Sequence, residues 1–300
     1  MIDLHMHTTY SDGTDLVLEI LKKVDSLGLE VISITDHNTC RIYYELESIS
    51  IKDIYKGEII VGTEFTTSFE GRIIEVLGYG FDYKKVNDYL DKFYSKELVS
   101  ERTQILEERL LKIINDLGLT FNENNLRERK HENEFFERGI YEELVSHSEN
   151  KNILKEDVWI SFSNFFRKGV TNPNSKLYIN HQEFKPSLRE IIELIHNSGG
   201  IAFLAHPYRY KFTDTEEFIN RLYNQYKLDG VECFYTSFSE EQTAYLVDFA
   251  KARGLLMSGG SDYHGDNRKD TRLGCGRGNL VISKDVLANW PVKSLEGRTI

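Results

Sequence analysis

The most constraining feature of this sequence is a series of short apolar segments that each end in a histidine or a carboxylate. β-Branched runs at 31–35 and 59–61 alternate with helical periodicity, as at 16–27. Continuously apolar strands alternating with helices are typical of an α/β fold with a parallel sheet. The carboxyl ends of parallel strands face one crevice. The sequence therefore predicts an α/β fold that gathers its polar groups at one face.

The residues that follow these predicted strands have the character of metal ligands. His5 and His7 lie two apart on an extended segment, so their side chains point to the same side. Imidazoles and carboxylates in a small volume need a cation between them, and such sets suit Zn²⁺, Mn²⁺ or Fe²⁺, with Mg²⁺ as an alternative. One ion takes about four protein ligands, so seven donors predict two or three divalent ions. The seven donors are His5, His7, Asp12, His37, Glu64, Asp262 and His264.

Composition and charge exclude several classes of protein. The 300 residues are 40% hydrophobic and 28% charged, which is typical of a globular chain and rules out a fibrous or disordered one. A net charge of −11 disfavours binding to an extended nucleic-acid duplex or an anionic membrane. No membrane-spanning run or secretory signal is evident, so we expect a cytoplasmic protein, and no protein partner is indicated. Three distant cysteines argue against disulfides and a thiolate zinc site.

Five segments carry a resemblance to a known family. They occur in the order expected of the PHP (polymerase and histidinol phosphatase) family and read DLHMHTTYSDG, ITDHNT, GTEFTT, LAHPYRY and SGGSDYH. The chain is similar to the stand-alone PHP phosphoesterases over roughly residues 1–82 and 178–275. The resemblance implies a distorted (β/α)7 barrel with a metal cluster at its carboxyl-terminal rim.

The resemblance also implies how the donors are divided between metals. One ion would be held by His5, His7, Glu64 and Asp262. A second would be held by Asp12, His37 and His264.

Two positions depart from the family pattern. Glu75 stands where the family usually has a histidine, and a second family histidine falls near Gly139. Both belong to the third metal of the trinuclear members, so the occupancy of a third site stays open. Glu75 can still ligate through oxygen, and His131 is a weaker candidate.

Five other residues receive predicted roles. His206 ends a strand two residues after Leu204 and is expected to act as a general acid or a phosphate ligand. Arg209 is expected to bind substrate phosphate in bidentate fashion. Arg102 resembles a family arginine at the corresponding place and is a further candidate for substrate binding. Asp3 and Asp36 precede ligand positions and are expected to orient imidazoles.

The segment 84–175 differs from its surroundings. It combines charged helical periodicity over 86–117, a very polar stretch and aromatic helical segments at 156–167. These features predict a mainly helical insertion between two parts of the barrel, at 1–83 and 176–300. We expect it to cover the metal-bearing rim and to set substrate choice, because loops at that face usually shape specificity.

The predicted reaction is metal-dependent hydrolysis of a phosphate ester. Metal-bound hydroxide would attack phosphorus, and the leaving alcohol would take a proton from His206 or water. Motifs for a covalent nucleophile (DxDx(T/V), GxSxG) and a Walker loop are absent. The expected substrates are small phosphomonoesters, nucleotides or short oligonucleotides. Histidinol-phosphate phosphatase and a metal-binding module with little turnover remain as alternatives.

Overall fold

The protein is described here by a computed structural model that covers residues 1–132, 135–210 and 212–298, without the side chains of residues 130–132. The chain separates into two compact units. One consists of Met1–Lys92 and Lys185–Ile300, and the other is Phe93–Phe184. Within the described residues, no helix is both long enough and apolar enough to cross a membrane.

The described residues contain eight strands, all in the first unit. These are β1 (Ile2–Asp3), β2 (Val31–Ile32), β3 (Glu58–Ile59), β4 (Gly62–Phe69), β5 (Arg72–Tyr79), β6 (Ile201–Leu204), β7 (Gly230–Tyr235) and β8 (Leu256–Gly260). One sheet has the order β1–β2–β3 and is parallel throughout. The second has the order β4–β5–β6–β7–β8. The α/β fold predicted from the sequence is confirmed.

The prediction of a parallel core is wrong for one strand. β5 runs antiparallel to both β4 and β6, whereas β6, β7 and β8 are parallel. The physical reason is the turn at Glu70 and Gly71, both of which have positive φ. A two-residue connection can join only antiparallel strands, because a parallel pair needs a long crossover.

Backbone contacts connect the two sheets at both sides. The Asp262 N–H donates to the His5 carbonyl at 2.8 Å, which joins the segment after β8 to the segment after β1. A bridge between His37 and Glu64 joins the segment after β2 to β4. These joins agree with a distorted barrel, and they bring the polar residues that follow the strands to one rim.

Eleven α-helices lie in the described residues. They are α1 (Val17–Ser26), α2 (Ile42–Glu47), α3 (Ile51–Ile54), α4 (Tyr83–Phe93), α5 (Lys96–Asp116), α6 (Glu123–Glu132), α7 (Phe136–Ser146), α8 (Phe162–Asn164), α9 (Leu188–Asn197), α10 (Thr215–Gln225) and α11 (Glu240–Arg253). α9 begins at the capping box expected from the sequence. The Glu190 N–H donates to the Ser187 hydroxyl at 3.3 Å, and the Ser187 N–H donates to the Glu190 carboxylate at 2.8 Å.

Each unit has its own apolar core. In the first, Leu4, Tyr79 and Phe203 are fully buried. In the second, Leu110 and Phe165 are fully buried among residues of that unit alone. The second unit is therefore stabilised by its own packing.

The boundaries of the second unit differ from the predicted 84–175. α4 belongs to the first unit for most of its length, because Tyr83 packs against the rings of Tyr43 and Tyr44 with centroids 5.5 and 5.1 Å away. At the other end, the second unit extends to Phe184. Residue patterning alone could not separate α4 from α5, because both are charged amphipathic helices.

Candidate metal centre

Four of the predicted ligands converge on one point. The Nε2 atoms of His5 and His7 each lie 3.2–3.4 Å from Glu64 Oε2 and Asp262 Oδ1. All four residues are buried. Ligand atoms about 2.0–2.1 Å from a tetrahedral metal lie roughly 3.4 Å from one another. The spacing of these four donors therefore fits a single cation at their centre.

The inward-facing atoms of this cluster lack hydrogen bonds. His5 Nε2, His7 Nε2 and Glu64 Oε2 have no hydrogen-bond partner among the described residues, although they are buried. A buried polar atom left without a partner costs about 1–3 kcal/mol. Three such atoms pointing at one another are better explained by a shared ligand, and their imidazole and carboxylate chemistry suits a divalent transition metal.

A second group of donors lies beside the first. Asp12 Oδ1 is 3.2 Å from His264 Nε2 and 3.7 Å from both His37 Nε2 and His7 Nδ1. Buried His264 Nε2 is again without a hydrogen-bond partner in the described part of the chain. The Asp12 side chain is 54% exposed, so this group opens to solvent. A cation here would be accessible to a substrate.

Glu75 joins a third group of donors. Its carboxylate lies 3.9 Å from His37 Nδ1 and 3.3 Å from His206 Nε2, and both rings also approach Glu64, at 3.3 and 2.7 Å. His206 is buried against two carboxylates instead of facing solvent. This surrounding was not expected for a general acid or phosphate ligand.

Gly139, near which the second family histidine is expected, and the weaker candidate His131 both belong to the second unit. Gly139 is buried within α7. The side chain of His131 lies outside the described residues.

The closely packed imidazoles and carboxylates of the centre shift one another's pKa values. Burial and the neighbouring Glu64 carboxylate raise the pKa of Glu75 to about 7. Burial alone would lower the pKa of His7, but the nearby carboxylates of Asp262 and Glu64 outweigh it and raise the pKa to about 9. Burial would raise the pKa of Asp262, yet His5 and His7 hold it well below its usual range. Protons and a metal would therefore compete for the same donor atoms.

Glu232 is a residue of the site that the sequence analysis missed. It lies in β7, where its Oε1 atom is 2.8 Å from His5 Nδ1 and its Oε2 atom accepts from the His206 backbone N–H at 2.7 Å. Its side chain is fully buried. The available signal was a glutamate inside an otherwise apolar strand, since a buried carboxylate requires partners.

The outer oxygen of Asp262 is held by three donors. Its Oδ2 atom accepts from the Tyr235 hydroxyl at 2.6 Å, from Arg209 Nη1 at 3.0 Å and from Arg268 Nη1. Tyr235 and Arg268 were also missed. The two guanidinium groups are partly exposed, at 41% and 29%, so they can contact an anion at the rim.

Arg102 lies in the second unit. Its guanidinium donates to the Phe93 carbonyl at 2.8 Å and lies 4.1 Å from the centre of the Phe93 ring. Its substrate-binding role stays a prediction.

Asp3 and Asp36 support the site differently from the prediction. Asp3 accepts from the backbone N–H groups of Ser261 and Gly274 at 2.9 and 2.8 Å. Asp36 accepts from the Thr8 N–H and hydroxyl at 2.8 and 2.7 Å. Within the described residues their hydrogen bonds go to the backbone and hydroxyl groups of the ligand-bearing loops, not to imidazoles. A buried carboxylate needs several hydrogen-bond donors, and these loops supply them. Asp3 and Asp36 therefore hold the loops in place.

Comparison with known proteins identifies the family. A family model for the PHP domain matches residues 3–247. The chain belongs to the PHP family. This PHP protein is 27% identical over 267 residues to the 5′-3′ exoribonuclease of Haemophilus influenzae, covering 87% of this chain and 89% of that protein. It is 22% identical over 277 residues to the 3′,5′-nucleoside bisphosphate phosphatase of Chromobacterium violaceum, covering 88% and 87%.

A solved structure has the same fold. It comes from Bifidobacterium adolescentis and aligns with a TM-score of 0.61 at 24% identity. The alignment covers 96% of this chain and 94% of that one. This likeness shows the shared fold. The family match and the two curated relatives make this PHP protein a metal-dependent phosphohydrolase.

Proposed function

We propose that this PHP protein hydrolyses phosphate esters of nucleotides or of short oligonucleotides, using two or three divalent metal ions. The observation that carries the proposal is the convergence of buried donor atoms without hydrogen-bond partners, next to a rim with two partly exposed arginines. The nucleotide class is supported by two relatives, one named as an exoribonuclease and one as a nucleoside bisphosphate phosphatase.

The residues of the chain divide the work between metal binding and phosphate binding. The first ion would be held by His5, His7, Glu64 and Asp262, and the second by Asp12, His37 and His264. When bound, such ions lower the pKa of a coordinated water and neutralise charge on the phosphoryl oxygens. Arg209 and Arg268 lie against Asp262, where they would bind the remaining phosphate oxygens.

His206 is better suited to the third group than to proton transfer. Its Nε2 atom lies 2.7 Å from Glu64 and 3.3 Å from Glu75, and the residue is buried. We therefore assign it, with Glu75, to a third and weaker metal position, and leave the proton of the leaving alcohol to solvent. Zn²⁺, Mn²⁺ and Fe²⁺ suit the first two positions, and the additional carboxylate makes Mn²⁺ or Mg²⁺ better suited to the third.

A panel of substrates tests the proposal. Protein loaded with Mn²⁺ would be offered a 5′-phosphorylated dinucleotide, a nucleoside 3′,5′-bisphosphate, histidinol phosphate and a sugar phosphate. Release of phosphate would be measured, and for the dinucleotide release of mononucleotide as well. We expect kcat/KM to be at least about tenfold higher for the best nucleotide than for histidinol phosphate, a difference of roughly 1.4 kcal/mol in transition-state binding. A preference for histidinol phosphate, or no turnover of any substrate, would reject it.

A further inference from the structure

Glu232 contacts two histidines that follow different strands, His5 after β1 and His206 after β6. Its Oε1 atom lies 2.8 Å from Nδ1 of the His5 ring. A carboxylate oxygen accepts hydrogen bonds, so this contact places a proton on Nδ1 of His5. The other ring nitrogen, Nε2, then faces Glu64 and Asp262, at 3.2 and 3.4 Å. Glu232 thus selects the tautomer of His5 that can bind a metal.

The second oxygen of Glu232 holds the backbone of His206. It accepts the His206 N–H at 2.7 Å. His206 has a φ of 23°, a conformation that non-glycine residues rarely adopt and that persists only where the surroundings enforce it. The same backbone position directs Nε2 of His206 to Glu64, 2.7 Å away. One buried carboxylate therefore positions groups in both the first and the third donor cluster.

We infer that Glu232 is a positioning residue that sets the metal affinity of the centre by orienting His5 and fixing the backbone of His206. A hydrogen-bonded carboxylate behind a ligating imidazole holds the ring in place and increases its basicity. The inference rests on the ligand set of the proposed function. It concerns affinity, so it can be tested without turnover.

The chain offers a matched control in Asp229. This carboxylate also accepts from a histidine ring and from the backbone of β6, with 2.7 Å to His196 Nε2 and 2.7 Å to the Ala202 N–H. His196 is not among the clustered donors. Asp229→Asn therefore removes the same kind of contact without affecting a proposed ligand.

The test compares Zn²⁺ affinity in Glu232→Gln and Asp229→Asn. The glutamine amide group is itself a donor, so the side chain cannot accept from both His5 and the His206 N–H. We expect the affinity of chelator-treated protein for Zn²⁺, measured by competition with a chromogenic chelator, to fall about 10–100-fold in Glu232→Gln. Asp229→Asn should bind Zn²⁺ as the wild type does. ¹⁵N NMR of the Zn²⁺-loaded proteins should show the Nδ1–H form of His5 in wild type and its loss in Glu232→Gln.

Wild-type Zn²⁺ affinity in a folded Glu232→Gln protein would overturn the inference and leave Glu232 a structural residue. His5→Ala separates this failure from failure of the ligand set. If His5→Ala weakens Zn²⁺ binding while Glu232→Gln does not, only the inference fails; if neither does, the ligand assignment fails too. Should Glu232→Gln not fold, Glu232→Asp carries the same test, because it keeps the charge but not the reach.

Discussion

Asp262 connects the proposed metal ligands to the rim where a phosphate would bind. Its Oδ1 atom faces the rings of His5 and His7, at 3.4 and 3.2 Å, and its Oδ2 atom accepts from Tyr235 and the rim arginines. Its backbone has a φ of 54°, which asparagine tolerates better than most residues. Asp262→Asn therefore removes the charge while keeping the shape and the backbone.

We expect Asp262→Asn to lower phosphate release by more than about a hundredfold, since loss of even an outer partner of a metal site costs about 10–100-fold. Steady-state rates with Mn²⁺, together with circular dichroism, check both activity and folding. Asp270→Asn is the control, because Asp270 is exposed and pairs with Arg277 at 2.8 Å. Near-normal turnover in Asp262→Asn with full metal content would reject the assignment.

A second prediction for a single residue concerns Glu75. The resemblance to the family predicts a histidine at this position, and the Glu75 carboxylate lies among Glu64, His37 and His206. Glu75→His replaces an oxygen donor with an imidazole, so we expect tighter binding of a third Zn²⁺ equivalent, followed by calorimetric titration. The gain should be partial, because the family histidine near Gly139 is still missing. Unchanged binding of the third equivalent would contradict this role.

Features that depend on residues close together in the sequence could be predicted from it. The capping box of α9 spans four residues, and each histidine that follows a strand can be recognised from its own segment. The contact between Glu232 and His5 joins residues 227 positions apart, so no local pattern reports it. The direction of β5 differs from the prediction although the turn at Glu70 and Gly71 indicates an antiparallel pair. The apolar residues of β5 resemble those of the parallel strands, so composition alone does not distinguish the two directions.

The start of α9 gives a prediction for an element. The Ser187 hydroxyl accepts from the Glu190 N–H, so Ser187→Ala should lower the free energy of unfolding by about 1 kcal/mol. Urea unfolding checks the value. Ser187→Thr retains a capping hydroxyl and should lose much less. Equal losses in the two variants would show that the cap does not stabilise α9.

At the scale of the whole molecule, the chain combines a first unit that contains the described strands with a second, helical unit that has its own core. All the donors proposed for the metals lie in the first unit, at positions outside Phe93–Phe184. Metal binding should therefore not require residues of the second unit. That the second unit covers the rim and sets substrate choice stays a prediction.

Replacing residues 93–184 with a short glycine–serine linker tests that division. We expect the shortened protein to stay folded and to bind Mn²⁺ with wild-type affinity, because the first unit keeps its buried core. The ratio of kcat/KM values between a dinucleotide and a mononucleotide should change, since segments over an active site usually set specificity. An unchanged ratio in a folded, metal-loaded protein would remove the helical unit from substrate choice.

The central claim is that the clustered histidines and carboxylates of this PHP protein hold at least two metal ions that it needs for phosphoester hydrolysis. The most direct measurement is a titration of chelator-treated protein with Mn²⁺ while phosphate release from a nucleotide is followed. The account predicts no release without metal and a plateau reached only at two or more equivalents per chain, because seven donors exceed the capacity of one ion. Full activity in the chelator-treated protein, or a plateau reached below two equivalents, would contradict it.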